Sequence, residues 1–542
     1  MKRYLIGLDF GTLSVRALLM DAESGEEAAV SEFVYPHGVM DRTLPNGAAL
    51  PERYALQHPQ DYLDGMKQTV AEVLRDVEIT ADAVVGVCID FTSCTVVAMD
   101  VNGVPLCFKE EFCDDPHAYV KLWKHHGALE YAEEINRLAA KRKEKWLSVY
   151  GGAISCEWLL PKMLETLREA PHVFDATARF ADAGDWLSFL LTGKHTASAG
   201  FAGLKTLWTA EDGFPSNDFF RAVDPKLDGV IGGRICADVY PSGACVGCLT
   251  KAGAELIGLA EGTPLTAPLV DGGSPMAALS VTGLGELELV VGTSNVDHVL
   301  GKAPIDIPGI CGYVKGSVSP ELYTFEAGQA GAGDMFSWFV HNCIPRAYEE
   351  EAEAVGMSIH AYLRERASRL APGESGLIAL DWFNGNRSIL KDDALSGMIL
   401  GLTLRTRPEE IYRALIEATA FGTRMIIENF EAYGIPVERI CAAGGIAQKD
   451  PMMMQIYADV TGKEIRIVDS AQAAARGSAI YAAVGAGLFA TVQEAAEHYA
   501  LPEKAHYTPI EANREAYDRL YNEYKTLHDY FGRGGNDVMK RI

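Results

Sequence analysis

The chain has 542 residues, more than one ordinary hydrophobic core accommodates, so we expect at least two domains. Hydrophobic residues make up 48% and charged residues 23% of the chain, a balance typical of soluble globular proteins. The net charge of -26 argues against a nucleic-acid-binding surface, which needs clustered positive charge.

Neither a targeting segment nor a membrane span is predicted. The opening stretch MKRYLIGLDFG has two basic residues but only a short apolar run before Asp9, unlike a secretory signal. No apolar run approaches the roughly 20 residues of a membrane-spanning helix. The 11 scattered cysteines favour reduced thiols in a cytoplasm, and we interpret the CxxC pair of Cys245 and Cys248 as a turn rather than a metal or redox site. We therefore expect a cytoplasmic protein with neither nucleic-acid nor membrane partners.

The first half of the chain begins with predicted strands and becomes helical. Apolar runs of strand length lie at residues 4–8, 15–20 and 84–90. The first two runs surround a short turn at Gly11-Thr12, and residues 95–106 predict a hairpin that turns at Asn102-Gly103. A charged helical pattern spans residues 119–170, and a further helix ends at Gly193.

The second half alternates predicted helices and strands. The pattern predicts a long helix over 409–434, then a strand that runs into a loop at Gly444-Gly445. Asp450 can cap the next helix, which begins at Pro451 and ends near Gly462. Strands that alternate with helices predict an α/β architecture.

The sequence pattern around the Gly11-Thr12 turn is repeated at Gly292-Thr293, about half a chain later. In both places an apolar strand precedes the turn, a serine (Ser14 or Ser294) follows within two residues, and a second apolar strand follows the serine. Each turn alone would be read as an ordinary hairpin. Two copies half a chain apart predict two similar domains that face one another.

The two turns are candidate phosphate sites. A tight turn of glycine, threonine and serine exposes backbone N–H groups and hydroxyls that bind phosphate without a formal positive charge. Two such turns could hold a triphosphate from both sides, and Asp9 would then need a divalent cation such as Mg²⁺ between itself and the phosphates. The Gly444-Gly445 loop allows close approach of an adenosine. We therefore expect ATP and Mg²⁺ as ligands.

The segment GMILGLTLRTRPEEIYRALIE, residues 397–417, fits a long signature of the FGGY carbohydrate kinases, which the chain resembles. The resemblance implies two actin-like ATPase (ribonuclease H-like) domains with a nucleotide and sugar cleft between them. It places the FGGY N-terminal domain at 1–284 and the C-terminal domain at 285–542. A homodimer is also an expectation at the level of the family.

Further segments resemble the members of this family that act on L-ribulose, at residues 115–126, 379–390, 417–424 and 527–541. The implied reaction transfers the γ-phosphoryl group of ATP to O5 of L-ribulose in L-arabinose catabolism. One alternative is a kinase for another pentulose or a polyol, such as D-ribulose, xylulose or ribitol. A remote alternative is an ATP-switched assembly protein of the actin or Hsp70 kind.

The resemblance implies that Asp271, in TAPLVDGGSPMAA, is the catalytic base. The family usually reads Gly-Asn-Val-Asp-Ala-His-Ala-Ala, whereas here Pro268 and Leu269 precede Val-Asp, and Gly272-Gly273 follows it. The alternative is that Asp271 has only a structural role and caps a helix. The altered neighbours motivate the alternative in which another pentulose or a polyol is the substrate.

The resemblance also implies a sugar site made of Ser93, Lys205, Asp271 and Glu326. Ser93 stands where the family has alanine, and Lys205 could equally be a solvated lysine. Asp90, at a strand end, could contact substrate or cap a turn.

Two further features leave alternatives open. Arg476 stands where an apolar residue is expected, so a contact with nucleotide or with another subunit is considered. The Lys124-His125-His126 cluster suggests a surface or lid role rather than a metal site.

Overall fold

The computed structural model describes residues 2–542, which form two seven-stranded sheets, three smaller sheets and the helices around them. The strands are β1 Tyr4–Phe10, β2 Ser14–Asp21, β3 Glu27–Val34, β4 Leu56–Gln57, β5 Val84–Phe91, β6 Val96–Met99, β7 Val120–Lys121, β8 Arg179–Asp182, β9 Ala197–Ser198, β10 Val239–Tyr240, β11 Cys245–Cys248, β12 Pro264–Thr266, β13 Leu269–Val270, β14 Gly285–Val291, β15 Asn295–Gly301, β16 Gly312–Lys315, β17 Tyr323–Gln329, β18 Ile378–Leu380, β19 Met398–Leu400, β20 Val437–Ala443, β21 Glu464–Val468 and β22 Glu503–Tyr507.

The α-helices pack on the faces of these sheets and between them. They are α1 Pro59–Asp76, α2 Leu129–Arg142, α3 Trp146–Val149, α4 Leu159–Glu169, α5 Pro171–Ala176, α6 Ala183–Thr192, α7 Ala199–Lys205, α8 Asn217–Val223, α9 Val230–Gly233, α10 Lys251–Ile257, α11 Pro275–Ala278, α12 Gly333–Cys343, α13 Arg346–Ala354, α14 Ile359–Ala367, α15 Pro408–Ala432, α16 Gly445–Lys449, α17 Pro451–Thr461, α18 Ala473–Gly485, α19 Val492–His498, α20 Glu511–Gly532 and α21 Val538–Arg541. No helix within residues 2–542 has the length and apolar character needed to cross a membrane.

The two large sheets repeat one topology. The first has the order β11-β12-β5-β1-β2-β3, with β13 also paired to β5, and the second has the order β16-β17-β15-β14-β20-β21-β22. In each sheet an antiparallel meander is followed by parallel strands, since β1 pairs in parallel with β5 and β14 with β20. The predicted duplicated, ribonuclease H-like α/β fold is confirmed.

The first sheet is covered on both faces, in keeping with the burial of every residue of β1. Helix α1 packs on β2 and β3, whereas α18, from the second half of the chain, packs on β1 and β5. A Cβ on Gly7 would lie 1.8 Å from the carbonyl oxygen of Ala475, so the glycine permits this close helix–strand contact. The second half of the chain therefore supplies one of the two layers that cover the first sheet.

The predicted helix ends are confirmed where local turn chemistry determines them. Gly193 and Gly462 adopt the left-handed conformation that ends α6 and α17. The Asp450 carboxylate accepts a hydrogen bond of 2.9 Å from the N–H of Met453 and so caps α17.

Three predictions of local structure were wrong. Strand β6 does pass into a turn at Asn102-Gly103, but the return strand is only a bridge between Met99 and Pro105, because β6 pairs with β8 instead. The charged stretch 119–170 contains β7 before its helices begin at Leu129. The CxxC segment is the edge strand β11 rather than a turn, since it pairs with β12, and both of its thiols are exposed.

Candidate active site

Two equivalent turns lie at the ends of β1 and β14, the central strands of the two sheets. The N–H of Gly11 donates to the carbonyl oxygen of Ser14 at 2.9 Å, and that of Gly292 donates to the carbonyl oxygen of Ser294 at 3.0 Å. The first turn is one residue longer, and its extra residue, Leu13, is exposed. The repeated sequence pattern thus corresponds to two turns with equivalent backbone hydrogen bonds.

The side chains of the two turns differ in the hydrogen bonds that they make within the protein. The indole N–H of Trp123 donates to Thr12 Oγ1 at 3.1 Å, and the Ser14 hydroxyl donates to Glu32 at 2.7 Å. Ser14 therefore offers a phosphate its backbone rather than its hydroxyl. Within residues 2–542 the hydroxyls of Thr293 and Ser294 make no side-chain hydrogen bond, so the second turn keeps both hydroxyls for a ligand.

The structure accounts for Gly444 and Gly445 in different ways. Gly444 ends β20 with φ of +94°, and a Cβ there would lie 2.3 Å from the carbonyl oxygen of Val291. A Cβ on Gly445 would meet nothing within 4 Å. The first glycine is required by packing, and the second leaves open space beside the loop that we expect to hold adenosine.

Three carboxyl groups gather where β1, β5 and β13 end. Asp9 and Asp90 are register partners on adjacent parallel strands. The hydroxyl of Ser478, on α18, donates to Asp90 Oδ2 at 2.6 Å, and Arg16 lies 3.5 Å from Asp9 Oδ2. Asp271 follows β13, and its N–H donates to the carbonyl oxygen of the β5 terminus at 2.9 Å. The α/β topology therefore brings these acidic groups to one edge of the sheet.

Burial and mutual repulsion disfavour ionisation of these groups. Burial raises the pKa of Asp9, with Arg16 acting against it, and burial together with Asp9 raises that of Asp90 well above its usual range. Burial and the charge of Asp9 raise the pKa of Asp271 to about 7, although the N–H groups of Gly272 and Ser93 point at its carboxylate. Asp271 thus combines partial ionisation near neutral pH with a fixed orientation.

The oxygen donors of this cluster fit Mg²⁺ by type. Mg²⁺ prefers one or two carboxylates together with water and phosphate oxygens. Asp90 Oδ1 is buried without a hydrogen-bond partner in residues 2–542, and a nearby cation would relieve the repulsion between Asp9 and Asp90. Asp9 remains the residue that we expect to hold the ion.

Lys205 and Glu326 form an ion pair that joins the two halves of the chain. Lys205 is the last residue of α7, and its ammonium lies 2.8 Å from Glu326 Oε1 on β17. Burial opposes the charge of each group, but the partner outweighs it, raising the pKa of Lys205 and lowering that of Glu326. The Lys205 ammonium also lies 6.0 Å from the ring centroid of Trp158 and acts electrostatically on Asp271. Three of the predicted sugar-site residues are therefore close together.

His298 is a site residue that the sequence reasoning missed. Its Nδ1 lies 2.7 Å from Glu288 Oε2, and its Nε2 lies 3.7 Å from Glu326 Oε2. Burial opposes the charge of His298, but the two glutamates outweigh it and raise its pKa to about 10. The available signal was a polar Asp-His pair flanked by valines in the middle of strand β15.

The features left open by the sequence have structural roles. Arg476 is buried, and its guanidinium binds Glu27 at 3.2 Å and the carbonyl oxygen of Tyr499 at 2.8 Å within the same chain. His125 is fully buried rather than part of a surface cluster, because Glu165 accepts a hydrogen bond of 2.9 Å from it. These contacts hold α18 on the first sheet and His125 against α4.

A candidate metal cluster of His117, Glu165 and Glu169 is already neutralised. The ammonium of Lys121 contacts Glu165 and lies 3.1 Å from His117 Nδ1. A buried lysine there takes the place that a metal ion would need.

Comparisons with known proteins agree with this geometry. The model of the FGGY family of carbohydrate kinases, N-terminal domain, matches residues 4–279, and the C-terminal domain model matches residues 287–486. A ribulokinase of Bacillus licheniformis is 45% identical over 535 residues, covering 98% of this chain and 97% of that protein. A ribulokinase of Geobacillus thermodenitrificans is 45% identical and covers 100% of this chain and 97% of its own length.

Solved structures show the same fold at low identity. The xylulose kinase of Rhodospirillum rubrum superposes with a TM-score of 0.80 at 23% identity, covering 97% of this chain and 98% of that one. The glycerol kinase of Plasmodium falciparum with ADP superposes with a TM-score of 0.75 at 17% identity, covering 97% and 98%. The family models and the full-length relatives together identify the chain as a member of the FGGY family of carbohydrate kinases.

Proposed function

We propose that this kinase transfers the γ-phosphoryl group of ATP to O5 of L-ribulose, giving L-ribulose 5-phosphate in L-arabinose catabolism. The observation that carries the chemistry is the placement of Asp271 beside the Lys205–Glu326 ion pair, with its pKa raised to about 7. The choice of L-ribulose is supported by the full-length similarity to proteins named ribulokinase.

In this proposal Asp271 accepts the proton of the attacking hydroxyl, because an ionised carboxylate with a pKa near 7 is a suitable general base. Lys205, Glu326 and the Ser93 segment orient the sugar through its hydroxyls. The ion pair keeps Lys205 and Glu326 fixed before the sugar binds, which lowers the cost of ordering them. Phosphoryl transfer depends mainly on such positioning and on charge neutralisation.

ATP is assigned to the two turns and the loop at the end of β20. Donors and open backbone for the phosphates and adenosine are supplied by Gly11, Thr12, Ser14, Gly292, Thr293, Ser294, Gly444 and Gly445. Asp9 holds Mg²⁺, which when bound neutralises phosphate charge.

The proposal divides the chain into a domain of residues 1–284, with the sugar site and Asp271, and a domain of residues 285–542, with the second phosphate turn and the adenosine loop. A cytoplasmic homodimer completes the proposal. Size measurement in dilute solution tests the dimer, since a single protomer mass at micromolar concentration would exclude it.

The proposed function is tested by sugar-dependent ADP formation with Mg²⁺ and ATP. The panel contains L-ribulose, D-ribulose, L-xylulose, D-xylulose, ribitol and glycerol, with a reaction lacking sugar as the control. We expect the highest kcat/KM with L-ribulose and a 5-phosphate product. Stimulation by none of these compounds would refute the kinase assignment.

A second candidate, a kinase for another pentulose or a polyol, is favoured by the altered loop after Asp271. Gly272 carries no side chain where the family pattern has alanine, so the cleft beside Asp271 can differ in shape. A higher kcat/KM for D-ribulose, a xylulose or ribitol than for L-ribulose would support this candidate. The actin-like or Hsp70-like alternative would require ATP hydrolysis that does not respond to any sugar.

A further inference from the structure

The Asp271 loop is in close contact with a histidine from the other half of the chain. A Cβ built on Gly272 would lie 3.3 Å from Cε1 of His298, closer than about nine in ten real Cβ contacts. His298 projects from β15 and is only 1% exposed. The side chain that occupies this space therefore comes from β15 rather than from the loop that carries Asp271.

His298 is also bound into the charged network of the sugar site. Its strand pairs with β17 so that His298 and Glu326 are direct register partners. One oxygen of Glu326 faces Lys205 at 2.8 Å, and the other faces His298 Nε2 at 3.7 Å. The carboxylate of Glu326 is thus held from both sides.

Glu288 supports His298 from behind. Glu288 is fully buried on β14, and its Oε2 lies 2.7 Å from His298 Nδ1. A carboxylate on one ring nitrogen fixes the orientation of the imidazole and favours its charged form. The result is a buried chain of groups from Glu288 through His298 and Glu326 to Lys205.

We infer that His298 is a positioning residue of the sugar site, which fixes Glu326 for the sugar hydroxyls and sets the distance between β15 and the Asp271 loop. This inference rests on the proposed function for its kinetic consequences. It assigns to the second half of the chain a direct part in shaping the sugar site, and Gly272 is the residue that makes room for it.

The first test adds one methyl group to the loop. Gly272→Ala should push His298 aside by a few tenths of an ångström, and it should raise KM for L-ribulose about tenfold while KM for ATP stays unchanged. Gly273→Ala is the matched control, because its Cβ would meet only the carbonyl oxygen of Val270, at 3.6 Å, and its sugar KM should equal that of the wild type.

A double-mutant cycle then separates contact from general damage. His298→Asn, with a smaller side chain, should itself raise the sugar KM, and adding Gly272→Ala to it should have little further effect. Fully additive effects of the two substitutions on the sugar KM would overturn the inference. So would a Gly272→Ala variant that behaves like the Gly273→Ala control.

A measurement without turnover keeps the inference separate from the proposed function. In protein labelled with ¹⁵N-histidine, the His298 resonance, assigned by its loss in His298→Asn, should report a charged imidazole at pH 8. Gly272→Ala should shift this resonance and Gly273→Ala should not. An unshifted resonance in Gly272→Ala, or a neutral imidazole at pH 8, would overturn the inference even if the sugar panel identified the substrate. Failure of the panel with the expected shifts would count against the proposed function alone.

Discussion

At the scale of single residues, the surroundings of Asp271 determine what its carboxyl can do. Burial and the neighbouring Asp9 disfavour its charge, whereas the N–H groups of Gly272 and Ser93 favour it. The balance leaves a pKa of about 7, so the carboxyl group can exchange its proton near neutral pH. A carboxylate with an ordinary pKa would be a weaker base.

This balance predicts the pH dependence of the reaction. In the proposed mechanism the base acts in its ionised form, so kcat/KM for the sugar should fall as the pH drops through the pKa of Asp271, which burial holds above the usual carboxyl range, and it should level off at higher pH. Initial rates between pH 5 and pH 9, with saturating Mg²⁺ and ATP, give the profile. Aliquots returned to neutral pH control for acid inactivation, and a profile that is flat down to about pH 5 would contradict the prediction.

The sequence predicted single residues where a local motif carries them. Asp271 and Ser93 are implied by the resemblance to the family, which rests on a short local motif in each case. His298 could not be placed in the same way, because its role depends on which residue of β17 it faces and on how close the Asp271 loop lies. Both are properties of non-local packing.

At the scale of elements, the contact between β1 and α18 is unusually close. Gly7→Ala would place a methyl carbon 1.8 Å from the backbone oxygen of Ala475, so the helix or the strand must shift. We expect a loss of about 1–3 kcal/mol in the free energy of unfolding, the usual cost of overpacking. Urea unfolding measures it, and Gly233→Ala is the control, since its Cβ would meet nothing within 4 Å. Equal stabilities of the two variants would contradict the packing described.

A buried charge pair holds β7 against α4. Lys121 and Glu165 are both buried and in contact, and His125 shares the same carboxylate. Glu165→Gln would leave the Lys121 charge without its partner and should cost about 3–5 kcal/mol in the free energy of unfolding. Thermal or urea unfolding at neutral pH measures this loss, and a change below about 1 kcal/mol would contradict the prediction.

The same pair gives stability a defined pH dependence. Burial opposes ionisation of Glu165, but Lys121 and His125 outweigh it and hold its pKa below the usual value of 4.5. The folded state therefore favours the ionised form, so this contribution is complete above about pH 4.5 and is lost as the pH falls below it. Between pH 6 and pH 3 the wild type should lose more stability than Glu165→Gln does. Parallel losses in the two proteins would contradict this origin.

Elements were predicted well where turns and caps are local. Gly193, Asp450 and Gly462 act through their own backbone or through near neighbours, so their sequence signals are reliable. The prediction of a return strand after the turn at Asn102-Gly103 was wrong, because β6 pairs instead with β8, which is distant in sequence. A single sequence gives no indication of that competition.

At the scale of the whole molecule, the proposed ATP site depends on the duplication, because the chain is strongly acidic. With a net charge of -26, long-range attraction of a triphosphate is not available, and the turns offer backbone N–H groups instead. The repeated Gly-Thr pattern predicted the pair of equivalent turns, because each turn is local. The packing of α18 from the second half on the first sheet was not predicted, since its mostly small and apolar residues do not indicate which sheet they cover.

The central claim is that the two halves assemble one kinase site around Asp271, and one substitution tests it most directly. With saturating Mg²⁺, ATP and L-ribulose, Asp271→Asn should lower kcat by about 10²–10⁴-fold, because it removes the base. Stabilisation against heat by L-ribulose and by ATP should be kept, which shows that the site is intact. A variant that keeps both ligand effects and a kcat within about threefold of the wild type would contradict the account.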